Sequence, residues 1–142
     1  MNNLKQLLVL NHTNLDRLRV RVSTCKSRLR VSERNERTQF GPYASYWDEW
    51  CLEAEAIIED LQSDIAATLH FASELKEFIA AIEAENSDSG TKEKRISKMQ
   101  KLTLEALACQ KDMISITDMR LAEHRAFTHK LLLVEAIDSL DD

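Results

Sequence analysis

Apolar residues recur along this chain in alternating steps of four and three, over three separate stretches. In the first, Leu4, Leu8, Leu15, Leu18, Val22, Cys25 and Leu29 fall on one seam, with Asn11 on the same line. That period keeps one stripe of a helix turned toward a partner helix. It predicts helix 1 over about residues 3–35. In the second stretch the seam is Trp47, Cys51, Ala54, Ile58, Leu61, Ile65, Thr68, Ala72, Leu75, Ile79 and Ile82. It predicts helix 2 over about residues 45–85. A neighbouring stripe of Trp50, Ile57, Phe71 and Phe78 gives this helix two partners and the central place in a bundle. The third seam is Met99, Leu102, Ala106, Cys109, Met113 and Ile116, continued by Phe127, Leu131 and Val134. Arg120 interrupts it, and Leu104, Leu107, Ile114 and Leu121 widen it. It predicts helix 3 over about residues 92–139.

Two breaks separate the stretches. Gly41-Pro42 is a turn signal. Ser45 with Asp48 three residues on resembles a capping box that opens helix 2. The run from Asn86 to Thr91 is a second loop, in which Gly90 suits a C-cap or turn. Two short loops between long helices imply an up-down-up arrangement. The expected fold class is therefore all-α, a long antiparallel three-helix bundle of coiled-coil character, with residues 1–142 as one domain. Helix 3 carries more apolar residues than one stripe needs. A soluble monomer rarely exposes a large apolar patch, so a homodimer, forming a larger helical bundle, is expected.

Composition narrows the alternatives. Two Gly and one Pro in 142 residues cannot supply the turns of a sheet-rich domain. Three cysteines, an odd number, argue for reduced thiols at small apolar seam positions rather than a disulfide scaffold. The apolar run Leu7–Leu10 is too short for a signal peptide, and no stretch reads as a membrane span. The expected location is the cytoplasm, or a host-cell cytosol for a viral protein.

Charge is unevenly placed, although the net value is only −5. From Arg17 to Arg37 there are eight basic residues and two acids; from Asp48 to Asp64 there are seven acids and no Lys or Arg. A fold-back at Gly41-Pro42 sets the two segments side by side, with residue 28 near residue 56, so the basic residues are expected to pair mainly within the fold or across a dimer. The competing reading is a phosphate-tracking helix that binds nucleic acid through Arg17, Arg19, Arg21, Lys26, Arg28, Arg30 and Arg34.

Aromatic residues gather at the first hairpin: Phe40, Tyr43, Tyr46, Trp47 and Trp50. Trp47 lies on the seam and is expected in the core. Phe40, Tyr43, Tyr46 and Trp50 are candidate protein-binding residues, because Trp and Tyr serve as anchors in interfaces, and Tyr43 is the one expected to be most exposed. The same cluster is also suited to plugging the end of the bundle.

The usual chemical constellations are missing. No His sits three residues after a Glu, so the di-iron pattern of helical bundles is absent. There is no His-Glu-x-x-His, no Cys-x-x-Cys and no glycine-rich phosphate loop. No catalytic residue, cofactor or metal is expected. The leading expectation is a non-enzymatic interaction protein (an adaptor, an assembly chaperone, or a viral or effector inhibitor of a host factor) whose partners are itself and another protein. Nucleic-acid binding is the alternative, and no membrane contact is expected.

Overall fold

The computed structural model describes residues 1–38, 42–85 and 89–140, with side chains except those of 36–38, 42 and 89. Three helices account for all of these residues but Met1 and Glu85: α1 (Asn2–Thr38), α2 (Pro42–Ala84) and α3 (Ser89–Leu140). The fold is an all-α three-helix bundle. Its contacts divide into two compact units, each built from a segment of every helix. The first contains 1–19 and 63–114; the second contains 20–62 and 115–142.

The helix boundaries differ from the sequence expectation in two informative places. α2 begins at Pro42, so Ser45 lies inside its first turn rather than capping it. Proline suits the first helical position, where its fixed φ fits and its missing N–H is not needed. α3 begins at Ser89, which puts Gly90 within its first turn rather than at the end of α2.

In the first unit, Leu4 and Leu7 of α1, Leu75 and Ile79 of α2 and Leu107 of α3 form the core. The start of α1 thus meets the end of α2, and Lys5 pairs with Glu83, as an antiparallel pair requires. Below that core lies a polar layer. Asn11 Nδ2 donates to the Thr68 carbonyl (3.2 Å), and Gln110 Nε2 donates to Asn11 Oδ1 (2.6 Å). Asn14 Nδ2 donates to Gln110 Oε1 (2.9 Å). Buried amides cost free energy unless paired, and here side chains of α1 and α3 satisfy one another while the Thr68 carbonyl of α2 completes the layer.

In the second unit the buried apolar residues are Cys25 on α1, Trp47, Cys51, Ala54, Ile57 and Leu61 on α2, and Leu121 and Leu131 on α3. The Cys25 thiol donates to the Ala54 carbonyl (3.3 Å). This sets Cys25 against Ala54, a register shifted from the pairing of residue 28 with residue 56 expected from the sequence.

The α2 seam is buried much as the period predicts, with Ile58 and Ile65 half-buried. On α3 the predicted seam is one position off. Thr103, Leu107, Gln110, Ile114, Thr117, Leu121, His124 and Leu131 face inward, whereas Leu102, Cys109 and Ile116 are exposed. Every seventh inward position from 103 to 124 is polar: Thr103, Gln110, Thr117 and His124. Counting apolar residues therefore selects the wrong face. Burial of Thr103 is cheap because its hydroxyl donates to the Met99 carbonyl four residues back (2.7 Å). Cys109 is correspondingly an exposed free thiol, unlike Cys25 and Cys51.

Two outcomes follow from this packing. Gln110→Leu orphans a donor on Asn14 and an acceptor on Asn11. It should lower stability by about 2–4 kcal/mol in urea unfolding, and adding Asn11→Leu and Asn14→Leu should restore part of the loss. In native protein a maleimide should label Cys109 rapidly, while Cys25 and Cys51 react only under denaturing conditions; mass spectrometry of timed digests reads this directly.

Candidate functional site

The aromatic residues flagged at the first hairpin are brought together in the second unit by the start of α2 and the later part of α3. Trp47 is fully buried, as its seam position requires, and its indole N–H donates to Glu135 Oε1 (2.9 Å). Trp50, three residues on, is half-buried between two α3 side chains. Its ring lies 4.5 Å from that of Phe127 and meets His124 edge-on at 5.0 Å. Tyr46 tilts against Phe127 at 6.3 Å and stays 45% exposed. Tyr43 is half-buried rather than the most exposed member, and Phe40 lies outside the described residues. Tyr46 and Trp50 thus rest on α3 and present one edge outward.

His124 is the residue that sequence reasoning passed over. Its only sequence signal is the seven-residue step from Thr103 through Gln110 and Thr117. The imidazole is buried under Trp50, and its Nε2 has no hydrogen-bond partner. Burial is the main cause that pushes its pKa below the usual histidine range, and the Arg28 cation adds to this. A backbone hydrogen bond to Trp50 and the Glu53 carboxylate act in the other direction. The Cys25 thiol, also buried, has its pKa raised chiefly by desolvation, which keeps it a protonated donor rather than a nucleophile.

The basic candidates of α1 differ in exposure. Arg21 grips Asp118 of α3 with two hydrogen bonds, 2.7 and 2.9 Å, and this pairing holds the Asp118 carboxyl below the usual carboxylate range. Arg28 donates to the Leu121 carbonyl (2.6 Å). Arg17, Arg19, Lys26, Arg30 and Arg34 are exposed. Arg19 lies 4.0 Å from Asp16 one turn away. The acidic run of α2 is answered from α3: Arg120 donates to Glu53 (3.1 Å) and to Asp60 (2.7 Å). Charge compensation was expected to run from α1 to α2. In these contacts it runs from α1 to α3 and from α3 to α2, because Arg120 sits at the edge of the true α3 seam.

Among the described residues, no three His, Cys, Asp or Glu side chains gather where a metal ion could be held. No helix there is long and apolar enough to cross a membrane. No protein-family model, curated protein or solved structure matches the chain.

The His124 environment sets a pH dependence. Its folded-state pKa lies below the unfolded value of 6.5, so the unfolded chain binds more protons in the interval between the two. Stability from this group is complete above that interval and is lost as pH falls through it. The melting temperature should drop between about pH 7 and pH 5, and His124→Leu should flatten that part of the profile.

Proposed function

We propose that this chain is a non-enzymatic interaction protein that self-associates and works through helix faces. The observation that carries the reading is the outer face of α3 in the second unit. Leu133, Ile137 and Leu140 are 61%, 51% and 84% exposed, and they follow one another in the same four-three step as the buried seams. A helix face with this period is shaped to interdigitate with another helix. A twofold dimer sets the face against its own copy and covers both at once. Tyr46 and Trp50 offer a separate edge for a second protein, in keeping with an adaptor, an assembly chaperone or an inhibitory effector. A cytosolic setting suits three free thiols.

The exposure of Arg17, Arg19, Lys26, Arg30 and Arg34 favours nucleic acid as the second reading, in which affinity comes from phosphate contacts and weakens steeply with salt. The overall charge of −5 and the engagement of Arg21 and Arg28 with α3 weigh against it.

Light scattering should give a mass of about 33 kDa, twice the chain mass of 16.3 kDa. The double variant Leu133→Glu/Ile137→Glu should give the single-chain mass with unchanged helicity by circular dichroism. A wild-type protein that runs as one chain at micromolar concentration would refute self-association. Tight, salt-dependent oligonucleotide binding lost in Lys26→Glu/Arg30→Glu would move the assignment to the second reading.

A further inference from the structure

In the second unit, the Cys25 thiol of α1 reaches the Ala54 carbonyl across the contact with α2, whereas Arg21 and Arg28 turn toward α3. At about 100° per residue along a helix, Lys26 and Arg30 then come to the side of α1 away from α3. On α2, Glu53 and Asp60 are turned to Arg120 of α3. The same count puts Asp48 and Glu55 on the other side of that helix. All four residues are exposed. They border one face, formed by α1 and α2 and turned away from α3, with a basic edge on α1 and an acidic edge on α2. The half-buried Val22, Leu29 and Ile58 lie between the two edges.

The two edges do not neutralise each other inside the chain. Among the described residues, none of Lys26, Arg30, Asp48 and Glu55 is held in an ion pair, although α1 and α2 run side by side. Arg21 is committed to Asp118 of α3, and Glu53 and Asp60 are answered by Arg120 of α3. With Cys25 opposite Ala54, antiparallel helices set Lys26 within a turn of the level of Glu55, and Arg30 within a turn of the level of Asp48.

We infer that this α1–α2 face docks on the same face of a second copy of the chain, with Lys26 meeting the partner's Glu55 and Arg30 the partner's Asp48. A twofold axis parallel to the helices lays the basic edge of each copy on the acidic edge of the other and keeps these levels matched. An axis across the helices would set like charges together. The isologous contact makes every pairing twice and covers the apolar strip from both sides. Opposite charges flanking an apolar strip select partner and orientation, as they do beside a coiled-coil seam. A nucleic acid complements only the basic edge and is repelled by the acidic one. This contact is separate from the outer face of α3. Exposed ion pairs are individually weak and screened by salt, so it forms at low ionic strength and is lost at physiological salt.

The test uses the full chain carrying Leu133→Glu/Ile137→Glu, so that its result is independent of the α3 face. Light scattering should give about 33 kDa, twice 16.3 kDa, at about 10 mM salt and the single-chain mass at about 150 mM. The chain is net negative, and lowering the salt strengthens general repulsion between copies. Association gained in this way therefore reports complementary edges. Adding Lys26→Glu/Arg30→Glu, or adding Asp48→Lys/Glu55→Lys, should leave a single chain at low salt, with helicity retained by circular dichroism. Carried together, the four changes exchange the two edges and should restore the 33 kDa species. A single-chain mass at low salt before any charge is reversed would overturn the proposal, whether or not the charge variants fold. So would association that neither reversal weakens, or a folded four-change chain that stays single. Binding of a DNA duplex at low salt, without formation of the 33 kDa species, would give the basic edge to nucleic acid instead.

Discussion

The hydrogen-bonded layer of Asn11, Asn14, Gln110 and the Thr68 carbonyl decides which way the third helix faces in the first unit. Two asparagines on the inward face of α1 are intolerable beside an all-apolar neighbour, because each buried amide group left unpaired costs about 1–3 kcal/mol. Gln110 is the α3 residue that answers both, donating to one and accepting from the other. Once Gln110 points inward, helix geometry carries Thr103 and Leu107 inward with it and turns Leu102 and Cys109 outward. Leaving a leucine exposed forgoes about 1.5–3 kcal/mol, a loss comparable to one orphaned amide and smaller than the several that the opposite rotation would create.

The second unit follows a related pattern with a different outcome. Thr117 and His124 again occupy inward positions seven residues apart, yet only part of this polar set is satisfied. Arg21, Arg28 and Arg120 supply the directed contacts between helices, gripping Asp118, the Leu121 carbonyl, and Glu53 with Asp60. The Ser32 and His124 atoms are left over. The polar set of the first unit is complete, and that of the second leaves two buried side-chain atoms without a partner among the described residues.

The aromatic cluster illustrates how packing separates residues of like chemistry. Trp47 and Trp50 are three positions apart, and neither composition nor motif distinguishes them. One meets the seam and gives its N–H to Glu135; the other lies across Phe127 and His124 with an edge exposed. The seam position of Trp47 was legible in the period of α2. The partial cover over Tyr43 and Trp50 was not, since it depends on which α3 side chains arrive beside them.

The sequence by itself determined the all-α class, the three helices with their two breaks, and the inward stripe of α2. These rest on local properties: scarce Gly and Pro, and a four-three period strong enough to identify one face without knowledge of the neighbours. The tertiary structure decided the rotation of α3, the exposure of Cys109, the partners of the arginines and the burial of His124. On α3 two stripes one residue apart compete, and the more apolar one lost. A hydrophobic count assigns every buried amide or imidazole as an error, whereas in three dimensions Asn11 and Asn14 need Gln110 inside. Hydrogen bonds between residues about a hundred positions apart in the chain carry that information, and no local pattern records it.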